Sequence, residues 1–324
     1  MSISKPTKIM IIMTVFLSFS ILPSSLPANE ASSEMRRYFF SGDGIITLYS
    51  EKTKKSFSGI YRNKKGAYER KAIHRICQVF GAPSGSSESG LSLRLVEFID
   101  YLEDHLNRGA KITIISGYRK PQYNATLRDK GLLAAKASLH QYGMAADLKI
   151  QGVKAIRLWQ YVKDLHFGGA GYYHGSTVHV DVGPARSWDE TTSGVGTGIS
   201  DDNKLIGVMT DFDIYRPGMT VMMRFIRMTA FPIRIATEFS LVRLNECQKA
   251  EKYGDFVPAF QAAPVSAGYA EFKNIKEMSS VKWQLPLQCP PGRYTIQVRL
   301  CNNGYPDMPI QIETPEFEIS GYAN

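Results

Sequence analysis

Residues 168–188 read GGAGYYHGSTVHVDVGPARSW. Gly175 and Ser176 punctuate two β-favouring runs, so short strands are expected around Gly171–Tyr173 and Thr177–Val182. In the second strand His179 and Asp181 stand two residues apart and therefore point to the same face. Upstream, residues 138–147 read SLHQYGMAAD, which sets His140 before a glycine turn and Asp147 in a strand expected near Met144–Ile150. Two neutral imidazoles and one carboxylate are the ligand set of a catalytic zinc ion, which keeps a fourth position open for water.

Further out, Ser41-Gly-Asp-Gly44 followed by Ile45–Tyr49 and Ser56–Tyr61 reads as an N-terminal hairpin, and 81–90 (GAPSGSSESG) as a loop. Leu95, Phe98, Ile99, Leu102 and Leu106 recur at three- and four-residue steps, predicting a helix over 92–107 whose other face carries Arg94, Glu97, Asp104 and Arg108. Lys111–Ile115 reads as a buried strand, 122–137 and Lys154–Leu165 as helices. The fold class expected is α+β: a small antiparallel sheet with helices carrying the zinc site, then a β-sandwich-like C-terminal domain. Residues 185–209, rich in Ser, Thr, Gly and Asp, read as a linker. Beyond them Thr220–Ile226, Ile233–Val242, Val281–Leu287, Arg293–Leu300 and Ile310–Ile319 are β-type runs, spaced as in a sandwich of roughly seven strands.

The chain has 324 residues and a formal charge of +9, unevenly spread. Residues 29–200 hold 24 Lys and Arg against 16 Asp and Glu, residues 201–324 hold 13 against 14, and all six histidines precede residue 201. Imidazole chemistry is thereby excluded from the tail. Lys5 and Lys8 ahead of the apolar run Ile9–Leu22 read as an export signal, too short to span a bilayer, with Leu26-Pro27-Ala28 as a weak cleavage site. An uncleaved anchor is the alternative. The expected domains are a signal peptide over 1–28, a zinc domain with its hairpin over 29–205, and an all-β domain over 206–324. Export removes access to cytoplasmic nucleic acid, so the basic excess leaves an anionic membrane surface or an acidic polymer as partner. Cys77, Cys247, Cys289 and Cys301 form no C-x-x-C; one disulfide in the tail plus a leftover thiol is expected, its pairing open.

SGYRKPQYN (116–124), SLHQYGMAAD (138–147) and the stretch 168–188, in this order, resemble the M15-type zinc peptidases of bacterial cell walls, in the periplasmic branch related to D-alanyl-D-alanine carboxypeptidases and murein endopeptidases. The similarity covers residues 36–205 and does not reach the tail. It implies that His140, Asp147 and His179 bind one Zn²⁺. It also implies that Arg119 receives a negative charge on the substrate, with Ser116, Tyr118 and Asn124 of the same motif as further substrate contacts. Better-known members carry a Glu three residues before the second His ligand as general base, and a helper His one residue later; here these positions are Ser176 and Thr177. Asp181 is then the candidate for acid–base work or for orienting His179, and His174 the second candidate base. Tyr142, Tyr172 and Tyr173 are candidates to line a groove. The function implied is an exported, periplasmic or secreted zinc peptidase that hydrolyses an amide in peptidoglycan stems or crosslinks. The alternative is a non-catalytic, zinc-containing wall-binding or scaffolding protein whose β-domain binds a protein partner.

Overall fold

The computed structural model describes residues 36–84, 90–130, 134–194, 196–245, 247, 249–261, 264–275, 277, 281–301 and 304–321. The signal segment expected over 1–28 lies outside them. The N-terminal hairpin forms as β1 (Ile45–Ser50) and β2 (Ser56–Ile60), followed by α1 (Arg70–Phe80) and α2 (Leu93–Asn107). Then come β3 (Ile112–Ser116), α3 (Pro121–Asp129), β4 (Ala145–Ile150), α4 (Ala155–Asp164), β5 (Gly169–Tyr172), β6 (Val178–Asp181) and β7 (Arg186–Asp189). The strands join in the order β2-β1-β3-β4-β6-β5-β7. This is a seven-stranded mixed sheet, because β1 runs parallel to β3 and β5 parallel to β7, where a small antiparallel sheet was expected. Two other expectations change. The helix of 122–137 ends at Asp129, and the linker of 185–209 gives its first residues to the sheet as β7.

The polar face expected on α2 meets solvent only toward its C-terminal end, where Arg108 is exposed and Asp104 half-buried. Elsewhere on it Arg94 and Glu97 are almost wholly buried, along with Asp100 and Glu103. Arg62 Nε donates to Glu97 Oε1 at 2.7 Å, and Tyr61 OH donates to Asp100 Oδ2 at 2.8 Å, so the β2 edge and the segment after it cover this face.

The C-terminal part is β-rich, as expected. Its strands are β8 (Gly207–Thr210), β9 (Ile214–Tyr215), β10 (Thr220–Ile226), β11 (Ile233–Leu244), β12 (Ala250–Phe256), β13 (Ala259–Phe260), β14 (Val265–Ser266), β15 (Tyr269–Phe272), β16 (Val281–Gln284), β17 (Gly292–Cys301), β18 (Gln311–Glu313) and β19 (Phe317–Ile319). One sheet has the order β13-β16-β10-β8; the other runs β14-β15-β11-β17-β19-β9, with β12 and β18 paired onto β11 and β17. Rings from the two sheets meet between them: Phe225 with Phe272 at 5.8 Å and Phe256 stacked on Trp283 at 3.8 Å. No disulfide joins any of the four cysteines, against the expected bridge, and Cys77 and Cys289 are buried. The described residues belong to one compact unit. Among the described residues no helix is long and apolar enough to cross a membrane.

Candidate metal centre

Sheet register brings most of the site into one row. β4 and β6 pair Asp147 with His179, β6 and β5 pair His179 with Gly171, and β5 and β7 pair Gly171 with Trp188. Gly171 leaves that row open: a Cβ there would stand 2.6 Å from the Trp188 ring. Trp188 therefore reaches across it to His179, with ring centroids 5.0 Å apart, and donates its indole N–H to Tyr173 OH at 2.9 Å. His140 arrives from the short 3₁₀ turn Leu139–Tyr142, which Gly143 ends at φ 64°, a left-handed conformation suited to glycine.

Three ligand-type atoms converge. His179 Nδ1 lies 3.0 Å from Asp147 Oδ1 and 3.2 Å from His140 Nε2, which is 3.4 Å from Asp147 Oδ1. The second nitrogen of each ring fixes its tautomer. His140 Nδ1 faces the Gly117 carbonyl at 2.7 Å, an oxygen that can only accept, so the proton sits on Nδ1 and Nε2 keeps its lone pair. His179 Nε2 faces the Asp181 carboxylate at 3.0 Å, so in the neutral ring Nδ1 is likewise bare. Two bare nitrogens and a carboxylate oxygen then point at one another. That arrangement repels unless a cation stands among them, and the donor set suits zinc: arms of about 2.0–2.1 Å in a tetrahedron give edges of about 3.3–3.4 Å.

Burial pushes the His140 imidazole below the ordinary histidine range, aided by the Arg119 charge. Against the same burial, hydrogen bonds that its protonated ring donates to the Asp147 and Asp181 carboxylates carry His179 above it. Burial also opposes ionisation of Asp147, but the two imidazoles hold its carboxyl well below the usual range. The His179 and Asp147 directions describe a pocket that favours positive charge, and the His140 direction keeps that ring neutral with its Nε2 lone pair free.

Arg119 stands three residues past the end of β3, its Nη2 donating to Asp147 Oδ2 at 2.7 Å and its Nε to Ser116 Oγ at 3.0 Å. Asp181 is fully buried, accepts from Gly183 N at 2.9 Å, and is gripped by both terminal nitrogens of Arg186 at 3.1 and 2.5 Å. Although burial opposes its charge, Arg186 and His179 keep it ionised far below the carboxylate range. A cavity of about 890 Å³ opens over the centre, lined by Arg119, His140, Asp147, His179, Tyr173 and Trp188 among others.

The remaining sequence candidates fall elsewhere. His174 is exposed at the β5–β6 turn, its ring 4.9 Å from Tyr172, and neither lines the cavity. Tyr118 packs against the core, and its backbone N–H goes to Phe80 O. Asn124 is buried and donates to Ala135 O at 3.0 Å, holding down the chain ahead of His140. Tyr142 is buried, its hydroxyl accepting from Met228 N at 3.1 Å. Sequence reasoning missed Trp188 and Arg186. Both sit inside the quoted 168–188 stretch, but only the parallel β5–β7 pairing turns them toward the site.

Residues 41–188 match the family model Peptidase M15_2, described as peptidoglycan L,D-endopeptidase MepK. The chain is 30% identical over 176 residues to the probable peptidoglycan L,D-endopeptidase MepK of Haemophilus influenzae, a span covering 54% of this chain and 90% of that protein. It is 28% identical over 175 residues to the peptidoglycan L,D-endopeptidase MepK of Escherichia coli K12, covering 54% and 91%.

Proposed function

The chain belongs to the M15 peptidase family of peptidoglycan L,D-endopeptidase MepK, and from that membership we propose that it is a zinc-dependent murein hydrolase of the periplasm that cuts an L,D amide in peptide crosslinks. The observation that carries the reading is the convergence of His140 Nε2, His179 Nδ1 and Asp147 Oδ1 on the floor of the cavity. These three would hold the metal. Bound there, zinc supplies a Lewis acid for the scissile carbonyl. Arg119, steadied by Asp147 and Ser116, receives a substrate carboxylate on its planar fork. Asp181 keeps the His179 proton on Nε2; with both oxygens occupied by Arg186, Gly183 and His179, it orients and does not take up protons.

Zinc-loaded protein is expected to release soluble muropeptides with new termini from purified sacculi, and chelation or His140→Ala to abolish the release. A second reading is favoured by one observation. The carboxylates lining the cavity, Asp147 and Asp201, are both in ion pairs, with Arg119 and Lys136. A metal-loaded chain that binds sacculi and releases nothing would make it the wall-binding module instead.

A further inference from the structure

Beyond the matched residues 41–188, the β-rich part sends one side chain into the cavity wall: Arg227, immediately after β10. It is 8% exposed, and its Nη2 has no hydrogen-bond partner. Five basic side chains line the cavity. Arg119, Arg186 and Lys136 are paired with Asp147, Asp181 and Asp201. Neither Arg227 nor Arg128, the fifth, has an ion-pair partner among the described residues, but of the two only Arg227 is buried. A buried guanidinium short of an acceptor is costly, because nothing offsets the water it has lost. Its backbone adds to that cost: φ is 59°, left-handed for a residue with a Cβ.

Both costs are held in place by specific contacts. Arg224 Nη1 donates to Tyr142 O at 2.8 Å and Met228 N donates to Tyr142 OH at 3.1 Å, so the turn carrying Arg227 is bolted to the loop that carries His140. Gly183 lies beside it: a Cβ there would be in ordinary contact with Arg227 Nη2 at 3.5 Å, and 3.2 Å from Asp181 Oδ1. Burial and the neighbouring Arg186 charge press the Arg227 guanidinium down to about 10, with Asp181 opposing. Two guanidiniums thus share the vicinity of one carboxylate, and Arg186 already occupies both oxygens of it.

We propose that Arg227 is a substrate-binding residue that takes a second carboxylate of the stem peptide, on the Asp181 side of the His179 ring, while Arg119 takes the first on the Asp147 side. The inference rests on the peptidase reading above. It makes the β-rich part a contributor to the site and the preferred substrate a peptide with two free carboxylates flanking the cleavage point.

Binding tests it apart from catalysis. Zinc-loaded protein is titrated calorimetrically with an uncrosslinked synthetic stem peptide and with the same peptide amidated at one carboxylate at a time. For wild type, two of the amidations are expected to weaken binding by at least about tenfold each. Arg227→Gln is expected to become indifferent to one of them while still responding to the other and still holding one zinc. Arg227→Lys, which keeps the charge but loses the fork, is expected to retain a reduced response. If Arg227→Gln does not fold, Arg227→Lys carries the test. An unchanged response to both amidations in the folded variant overturns the proposal. Loss of wild-type cleavage of sacculi with the binding pattern intact would overturn the peptidase reading and leave the carboxylate site standing.

Discussion

A histidine becomes a metal ligand only when something fixes which nitrogen is bare, and in this chain two different acceptors do so. The Gly117 carbonyl holds the His140 proton, and the Asp181 carboxylate holds that of His179. Asp181 is the more exposed to test, because its rival role as a base makes a different forecast. Asp181→Asn keeps the volume but turns an amide toward Arg186, so the His179 ring loses its anchor. Zinc affinity is expected to fall about 10- to 100-fold, read by competition with a chromogenic chelator. Unchanged affinity with lost hydrolysis would return Asp181 to acid–base work. The residue types and spacings of His140, Asp147, His179 and Asp181 were all legible in the sequence, since a two-residue step along a strand already aligns the last pair. Their division of labour was not, because it depends on Arg186 and Gly183 occupying the carboxylate, which no spacing announces.

Among the elements, α2 shows where periodicity runs out. The apolar stripe through Leu95, Phe98, Ile99 and Leu102 predicts the helix and its core face correctly. The opposite face is charged, yet all of it except the Arg108 end is covered by segments distant in sequence: the N-terminal stretch, the hairpin region and, over Arg94, Thr210 and Asp213. Asp100 pays the consequence: burial pushes its carboxyl from 3.8 up to about 8, against hydrogen bonds from Tyr61 and the Gly44 N–H that favour the charged form. The folded chain therefore keeps a proton that the unfolded chain gives up near pH 4. That contribution to stability is full below pH 4 and is lost as the pH climbs to about 8. The melting temperature of wild type is expected to fall between pH 5 and pH 8.5. Glu97, Glu103 and Asp104 are raised in the same direction, so the share of Asp100 is read as the difference from Asp100→Asn, whose slope should be shallower. Equal slopes would mean that Asp100 titrates normally. The same long-range covering explains β7: its strand is short and amid turn formers, so only its pairing with β5 reveals it.

For the whole molecule, the decisive contacts run between the seven-stranded sheet with its helices and the β-rich part. Arg94 on α2 is 3% exposed and Asp213 4% exposed, their side chains in contact at 2.6 Å. Arg94 Nη1 also donates to Thr210 O at 2.8 Å, and Asp213 Oδ2 accepts from Phe39 N at 3.1 Å. Removing one member of such a buried pair leaves the other charged and dry, which costs about 3–5 kcal/mol. Arg94→Met is therefore expected to shift the urea midpoint of the entire chain downward, not that of one half. Trp159 and Trp188 belong to the first half and Trp283 to the second, while far-ultraviolet dichroism follows all the strands. If the two parts form a single cooperative unit, fluorescence and dichroism lose their native signals together in wild type and in the variant alike. Two resolved transitions, with Arg94→Met moving only one of them, would show that the parts fold separately, and Arg227 would then sit in the cavity only by docking.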